Sequence, residues 1–236
     1  MIGLFNQLSQ QCSKLTTERY STSFASAVKL LHPDIRPHIH NIYGFVRFAD
    51  EIVDTFHAYD KAALLEEFKR ETYLALDRGI SLNPILHSFQ ATVKYFNINR
   101  QLVNDFLRSM ELDLEKKYYT KTEYDAYIYG SAEVVGLMCL HVFCEGNETL
   151  YEHLTPAARS LGAAFQKVNF LRDMKADFTG MNRTYFPGID FNNFTGEMKK
   201  KIEEEISADF NHAYQGICQL PRSEEHTSEL QSRSAI

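Results

Sequence analysis

The 236-residue sequence predicts an all-α protein, and three observations carry that prediction. Glycine and proline are scarce, at 11 and 6 residues, so few positions break a helix. Apolar residues recur three and four apart through successive segments. No run alternates with the Val, Ile and Thr content that strands favour. With 44 % hydrophobic residues the chain can build one sizeable core, so a single helical bundle is expected.

The elements follow in order. Ile2, Leu4, Phe5, Leu8 and Leu15 form a weak helical stripe over residues 2–15. Thr17–Ser23 reads as a break whose hydroxyls cap a helix from Phe24 to Leu31. His32–Pro37 is a turn, and Pro37 suits the first turn of a helix reaching about Phe56. Lys61–Leu76 is amphipathic through Leu64, Leu65, Phe68, Tyr73 and Leu76. Asn83-Pro84 opens the next helix, and Arg100–Tyr118 carries Leu102, Phe106, Met110 and Leu114 at helical spacing. Thr122–Phe143 is apolar on several faces and reads as central. Thr155-Pro-Ala opens a long helix to about Asp177. Phe178–Asn193, rich in Gly, Asn, Thr and Pro, is a loop, and Glu197–Leu220 is the last helix. No fixed-period repeat is present.

Composition excludes several classes. The net charge of −6 argues against a nucleic-acid binder, since phosphate backbones select basic surfaces. Cys12, Cys139, Cys144 and Cys218 form no Cys-x-x-Cys pair and read as reduced structural thiols of a cytoplasmic protein. The N-terminus turns polar at once, unlike a signal peptide. The longest apolar run, around Val134–Phe143, falls short of the roughly 18 residues that span a membrane. Residues 222–236 resemble translated sequencing adapter from Arg222 to Ser232. They are expected to be a non-native tail after a domain of residues 1–221.

Two segments carry the chemistry. Asp50-Glu-Ile-Val-Asp54 places two carboxylates one helical turn apart. Tyr43 and Arg47 precede them on the same face, and an arginine there suits a phosphate oxygen. Alone, this motif is a weak signal and more often marks a solvated acidic face. Its second copy, Asn169-Phe-Leu-Arg-Asp173-Met-Lys-Ala-Asp177, changes the weighing. Gln166 precedes it on the same side, and Arg172 flanks it. Two such helices facing each other would hold several Mg²⁺ ions and a diphosphate, because Mg²⁺ takes hard carboxylate, phosphate and water oxygens. Between them lies Tyr127-Ile-Tyr-Gly-Ser-Ala-Glu-Val-Val-Gly136. Its small residues Gly130, Ser131, Ala132 and Gly136 fit either close helix packing or the wall of a long ligand channel. There is no phosphate-loop, nucleophile-elbow or di-iron pattern.

These segments resemble the squalene/phytoene synthase family. Ser21-Thr-Ser-Phe24, Met110-Glu-Leu-Asp113-Leu and Asn182-Arg-Thr-Tyr-Phe-Pro187 agree with it as well, in the family's order over residues ~17–190. The resemblance implies an isoprenoid synthase fold around a central cavity. It implies Mg²⁺- or Mn²⁺-dependent head-to-head condensation of two prenyl diphosphates through a cyclopropylmethyl diphosphate. By the same resemblance Asp50, Asp54, Asn169, Asp173 and Asp177 would hold metal. Ser21, Arg47 and Arg172 would grip diphosphates, and Tyr127 would stand near the reacting carbons. Phe24, Ala132 and Gly136 would line the prenyl channel, Gln166 would bond near the reacting end, and the loop bearing Arg183 would cover the site. Tyr43 joins the substrate-binding set.

Geranylgeranyl diphosphate to phytoene is the first expectation. The alternative is squalene, dehydrosqualene or hydroxysqualene synthesis from farnesyl diphosphate, with NADPH only if squalene forms. A non-catalytic assembly factor of the same fold, which would lack the aspartates, is a remote third. Long prenyl tails are compatible with peripheral membrane contact. Two departures from the family pattern stand out. Glu133 occupies a position where the family usually has a small residue, and the family's further C-terminal helices are expected to be missing.

Overall fold

The computed structural model describes residues 2–115, 119–181, 186–187 and 193–221, with Glu115 and residues 175–181 described in backbone alone. The described elements are helical. They are α1 (Ile2–Tyr20), α2 (Thr22–Val28), α3 (Arg36–Asp54), α4 (Lys61–Arg78), α5 (Pro84–Tyr95) and α6 (Arg100–Glu115). Then follow α7 (Lys121–Ile128), a π-helical segment (Tyr129–Glu133), α8 (Val134–Phe143), α9 (Glu148–Met181) and α10 (Gly196–Ile217).

Local chemistry sets most boundaries. Asp60 accepts the Ala63 N–H at the start of α4, and Gly79, at φ 69°, ends that helix in the left-handed region where glycine is unstrained. Asn83 accepts from both Ile85 and Leu86 ahead of Pro84. Thr120 and Glu123 form a reciprocal capping box at α7.

The main core gathers α3, α4, α5 and α6 around fully buried Phe45. Its ring stacks on Phe89 at 3.9 Å and lies 5.7 Å from Phe68 and 5.4 Å from Phe106. A second core joins Tyr124, Tyr127 and Ile128 of α7 to Phe170 of α9 and Ile202 and Ile206 of α10. Alongside it, Lys167 of α9 donates to Asp209 of α10 at 2.8 Å.

Three expectations change. The break expected over Thr17–Ser23 narrows to Ser21, which caps α2 as a hydroxyl of that segment was expected to, while α1 runs on to Tyr20. Thr16 and Thr17 donate to the carbonyls of Cys12 and Ser13 inside the helix, so their hydroxyls do not compete with it. The apolar stripe of α1 also faces outward, with Leu4 75 %, Leu8 52 % and Leu15 53 % exposed. The helix instead buries Ser9, Ser13 and Thr17 against α3 and α5. Ser13 bonds Ser88 at 2.7 Å, and a Cβ at Gly44 would sit 3.2 Å from the Ser13 hydroxyl. That interface is too close for large side chains.

The long helix α9 starts at Glu148, two turns before Thr155, and takes Pro156 into its interior. Asn147 provides the true start by accepting the Leu150 N–H, while Thr155 donates back to Tyr151.

The run Lys121–Phe143 is long and apolar enough, by length and composition, to cross a membrane, contrary to the sequence reading. Half of it is buried in the fold, where it packs on α3, α6 and α9, and that burial accounts for its composition. Residues 116–118, most of the expected loop to Asn193 and the tail 222–236 lie outside the described residues.

Candidate active site

The first acidic motif closes α3. Asp54 is its last residue and is exposed, and Asp50 lies one turn back, partly buried. Burial and then the neighbouring Asp54 push the Asp50 carboxyl up to about 7; Asp113 and Glu51 act in the same direction, while Arg47 opposes them. Asp113 of α6 is buried, so a third carboxylate stands close to this pair. The negative end of the α3 dipole adds to the excess. Such a corner favours a bound cation.

Arg47 sits on the same face. It pairs with Glu51, and its guanidinium lies 4.5 Å above the Tyr20 ring. Its Nε–H is buried and has no hydrogen-bond partner among the described residues. Tyr43, one turn earlier, stacks on Phe24 at 4.9 Å and shares a hydrogen bond with Ser21. Ser21 also caps α2, accepting the Phe24 N–H at 3.2 Å. Ser21, Phe24 and Tyr43 therefore meet in a seam between α2 and α3, and Arg47 and Asp50 extend its α3 side toward Tyr20 of α1 and Asp113 of α6. A cavity of about 280 Å³ opens beside it, between Tyr20, Glu51 and the apolar side chains of α3 and α4.

The tyrosine–glycine motif turns from α7 into the π-helical segment and α8. Such insertions often mark functional positions. Tyr127 is buried between Tyr119, at 5.2 Å, and Phe170 of α9, at 5.9 Å. The small residues bring backbones together. A Cβ on Gly130 would lie 2.8 Å from Ser109 Cβ, and one on Gly136 would lie 3.0 Å from the Ala158 carbonyl. Gly162 of α9, which the sequence did not single out, is tighter still, at 2.7 Å from Glu133 Cα and 2.8 Å from the Ala132 carbonyl. Glu133 has its partner here: Arg159 of α9 donates to it at 2.5 Å, and the same guanidinium lies 5.2 Å from the Tyr129 ring.

The second acidic motif lies on α9. Gln166, Asn169 and Asp173 are partly buried. Arg172 is exposed and forks onto Asp173 with bonds of 2.8 and 2.6 Å. Asp177 is within α9, but its side chain, like the whole of Arg183, lies outside the described residues. The segment α8 packs against both α3 and α9, so one central helix adjoins both acid-bearing helices. Among the described residues no three His, Cys, Asp or Glu side chains are already clustered around a metal position.

A helical bundle with paired acids one turn apart on two helices that share a central neighbour is the architecture of an isoprenoid synthase. The squalene/phytoene synthase family model matches residues 17–223, and the chain belongs to that family of prenyltransferases. It is 33 % identical over 196 residues to a chloroplastic phytoene synthase of an Oncidium hybrid cultivar, covering 78 % of this chain and 45 % of that protein. A presqualene diphosphate synthase of Rhodopseudomonas palustris is 28 % identical over 172 residues, covering 70 % of this chain and 58 % of that one. The chain thus spans about half the length of these relatives.

Among solved structures, the squalene synthase of Alicyclobacillus acidocaldarius superposes with a TM-score of 0.79 at 19 % identity, covering 92 % of this chain and 86 % of that one. A ligand-bound dehydrosqualene synthase gives 0.80 at 19 % identity, covering 92 % and 80 %. These likenesses establish the fold.

Proposed function

We propose that the protein condenses two prenyl diphosphates head to head with Mg²⁺, taking geranylgeranyl diphosphate to phytoene. The observation that carries this reading is the α2–α3 seam. A partly buried carboxyl crowded by like charge lies one turn from an arginine with an unpaired buried donor. A divalent cation would relieve the first and a diphosphate oxygen the second.

Asp50 and Asp54, with Asn169, Asp173 and Asp177 on α9, would hold Mg²⁺, and Mn²⁺ fits the same oxygen donors. Bound there, the metal would supply positive charge to offset the charge of the leaving pyrophosphate. Ser21, Arg47, Arg172 and Arg183 would orient the diphosphates. Phe24, Ala132 and Gly136 would border the prenyl chains, although a Cβ at Gly136 would already lie 3.0 Å from the Ala158 carbonyl oxygen of α9. Tyr43 would steady the Ser21 end and Gln166 the reacting end.

Loss of the first pyrophosphate gives an allylic cation, which the double bond of the second substrate attacks. A proton then leaves to close the cyclopropane. Tyr127, among aromatic rings at the π-helical segment, would stand near that proton. Aromatic faces stabilise the cation and keep water away.

Several relatives carry the name phytoene synthase. The Rhodopseudomonas relative favours the second reading, farnesyl diphosphate as substrate, with NADPH only if squalene forms. Long prenyl tails make peripheral membrane contact part of either reading. Pyrophosphate release from geranylgeranyl diphosphate should require Mg²⁺ and vanish in Asp50→Asn and Asp173→Asn. Release that is undiminished in both variants would show that these carboxylates are not the metal site.

A further inference from the structure

Helix α1 ends beside Arg47. Its last turn is closed by the Ser21 N–H, which donates to the Thr17 carbonyl at 3.0 Å, and Tyr20 is its final residue. Two turns earlier the same helix is held against α3, where a Cβ at Gly44 would sit 3.2 Å from the Ser13 hydroxyl. Tyr20 therefore stands on a fixed stem. It is 48 % exposed and belongs to neither hydrophobic core, so core packing does not account for an aromatic residue there. Its ring lies instead under the Arg47 guanidinium, 4.5 Å from the ring centroid.

That contact does something the neighbouring carboxylates cannot. Arg47 already pairs with Glu51 through one terminal nitrogen. A guanidinium meets carboxylates through the N–H groups at its edge, and each such bond uses a donor that a phosphate oxygen could take. An aromatic face holds the flat of the guanidinium and leaves its edge donors available. Glu51 thus fixes one corner of the group and the Tyr20 ring fixes its plane. Arginine has several rotatable bonds, and ordering them before a ligand arrives removes that cost from binding. The next residue, Ser21, shares a hydrogen bond with Tyr43. Two consecutive residues at the α1–α2 junction therefore steady two side chains one turn apart on the same face of α3.

We propose that Tyr20 is a positioning residue for diphosphate binding, its ring face holding the Arg47 guanidinium in the plane from which it meets a phosphate oxygen. This rests on the reading that Arg47 contacts a diphosphate. Tyr20 acts through Arg47 and through its ring, so phenylalanine can replace it. Leucine, of similar bulk but without a π face, cannot.

The test is calorimetric titration of the full chain with inorganic pyrophosphate in Mg²⁺ buffer. Tyr20→Leu should weaken binding about two- to fivefold, the size expected of an exposed cation–π contact, and Tyr20→Phe should bind as the parent does. Arg47→Gln should weaken binding about tenfold or more. Adding Tyr20→Leu to Arg47→Gln should cause no further loss, since the ring acts only through the arginine. In proton spectra the Arg47 Nε–H of the parent and of Tyr20→Phe should resonate upfield of its position in Tyr20→Leu, because the ring current shields groups above its face. Parental binding in Tyr20→Leu beside a deficit in Arg47→Gln overturns the proposal alone. So does an equal loss from Tyr20→Leu with and without Arg47, a Tyr20→Phe variant as weak as Tyr20→Leu, or an Nε–H resonance identical in all three proteins. Undiminished binding in Arg47→Gln, or none in the parent, removes the diphosphate role of Arg47 and this proposal with it.

Discussion

Replacing Gly162 with alanine tests the close approach of α9 to the π-helical segment. The new Cβ would lie 2.7 Å from Glu133 Cα, 2.8 Å from the Ala132 carbonyl oxygen and 2.9 Å from its carbon. Comfortable carbon contacts are about 3.5–4.0 Å, so α9 and the π-helical segment must separate by most of an ångström. No flexible side chain is available to yield, because all three atoms are backbone. Overpacking of this kind costs about 1–3 kcal/mol, partly offset by up to about 1 kcal/mol from alanine's helix propensity. A net loss of about 1–2 kcal/mol should lower the melting temperature by roughly 2–8 °C in a chain of this size. Urea unfolding beside Gly3→Ala gives the comparison, since nothing lies within 4 Å of a Cβ at Gly3. Gly3→Ala should be neutral or slightly stabilising. Equal stability of the two variants would refute the close approach.

Other expectations rest on different features. Pro156→Ala restores a donor inside α9 at an exposed position and should stabilise the protein by about 1–3 kcal/mol in urea titrations; a loss of stability would contradict a helix that begins at Glu148. A double-mutant cycle with Glu133→Gln and Arg159→Gln should give a coupling of about 0.5–1 kcal/mol, because Glu133 is largely buried and Arg159 half-exposed. Zero coupling would mean the pair does not form. Mg²⁺ with pyrophosphate at about 100 times its Kd should stabilise the protein by roughly 2.7 kcal/mol. The melting shift should disappear in Asp50→Asn/Asp54→Asn, and its persistence there would place the metal elsewhere.

Where a helix declared itself through caps and one-sided apolar spacing, the sequence was readable. Helix α4 between Asp60 and Gly79, and α5 after Asn83-Pro84, fall within two residues of expectation. Helix α1 was misread because its buried side is Ser9, Ser13 and Thr17. Hydrophobicity cannot reveal an interface set by close backbone approach and by hydroxyls bonded to their own helix. Pro156 looked like a helix start because Pro suits a first turn, and only the Asn147 cap shows where α9 begins.

In the candidate site, Asp50, Arg47, Tyr43 and Ser21 were legible as one helical face and one nearby cap. The crowding of Asp50 by Asp113 depends on α6 arriving from elsewhere in the chain. The partner of Glu133 is Arg159, 26 residues onward, and Gly162 stands opposite Glu133 for the same reason. Periodicity also could not show the π-helical segment, since an inserted residue keeps apolar composition while shifting every later side chain around the axis.

The most direct test of the proposed chemistry is the product itself. The protein is incubated with Mg²⁺ and either geranylgeranyl or farnesyl diphosphate, with and without NADPH, and the extracted hydrocarbons are analysed by mass. A C40 product, phytoene, from geranylgeranyl diphosphate without NADPH is the predicted result. No C30 or C40 product from either substrate would contradict the account.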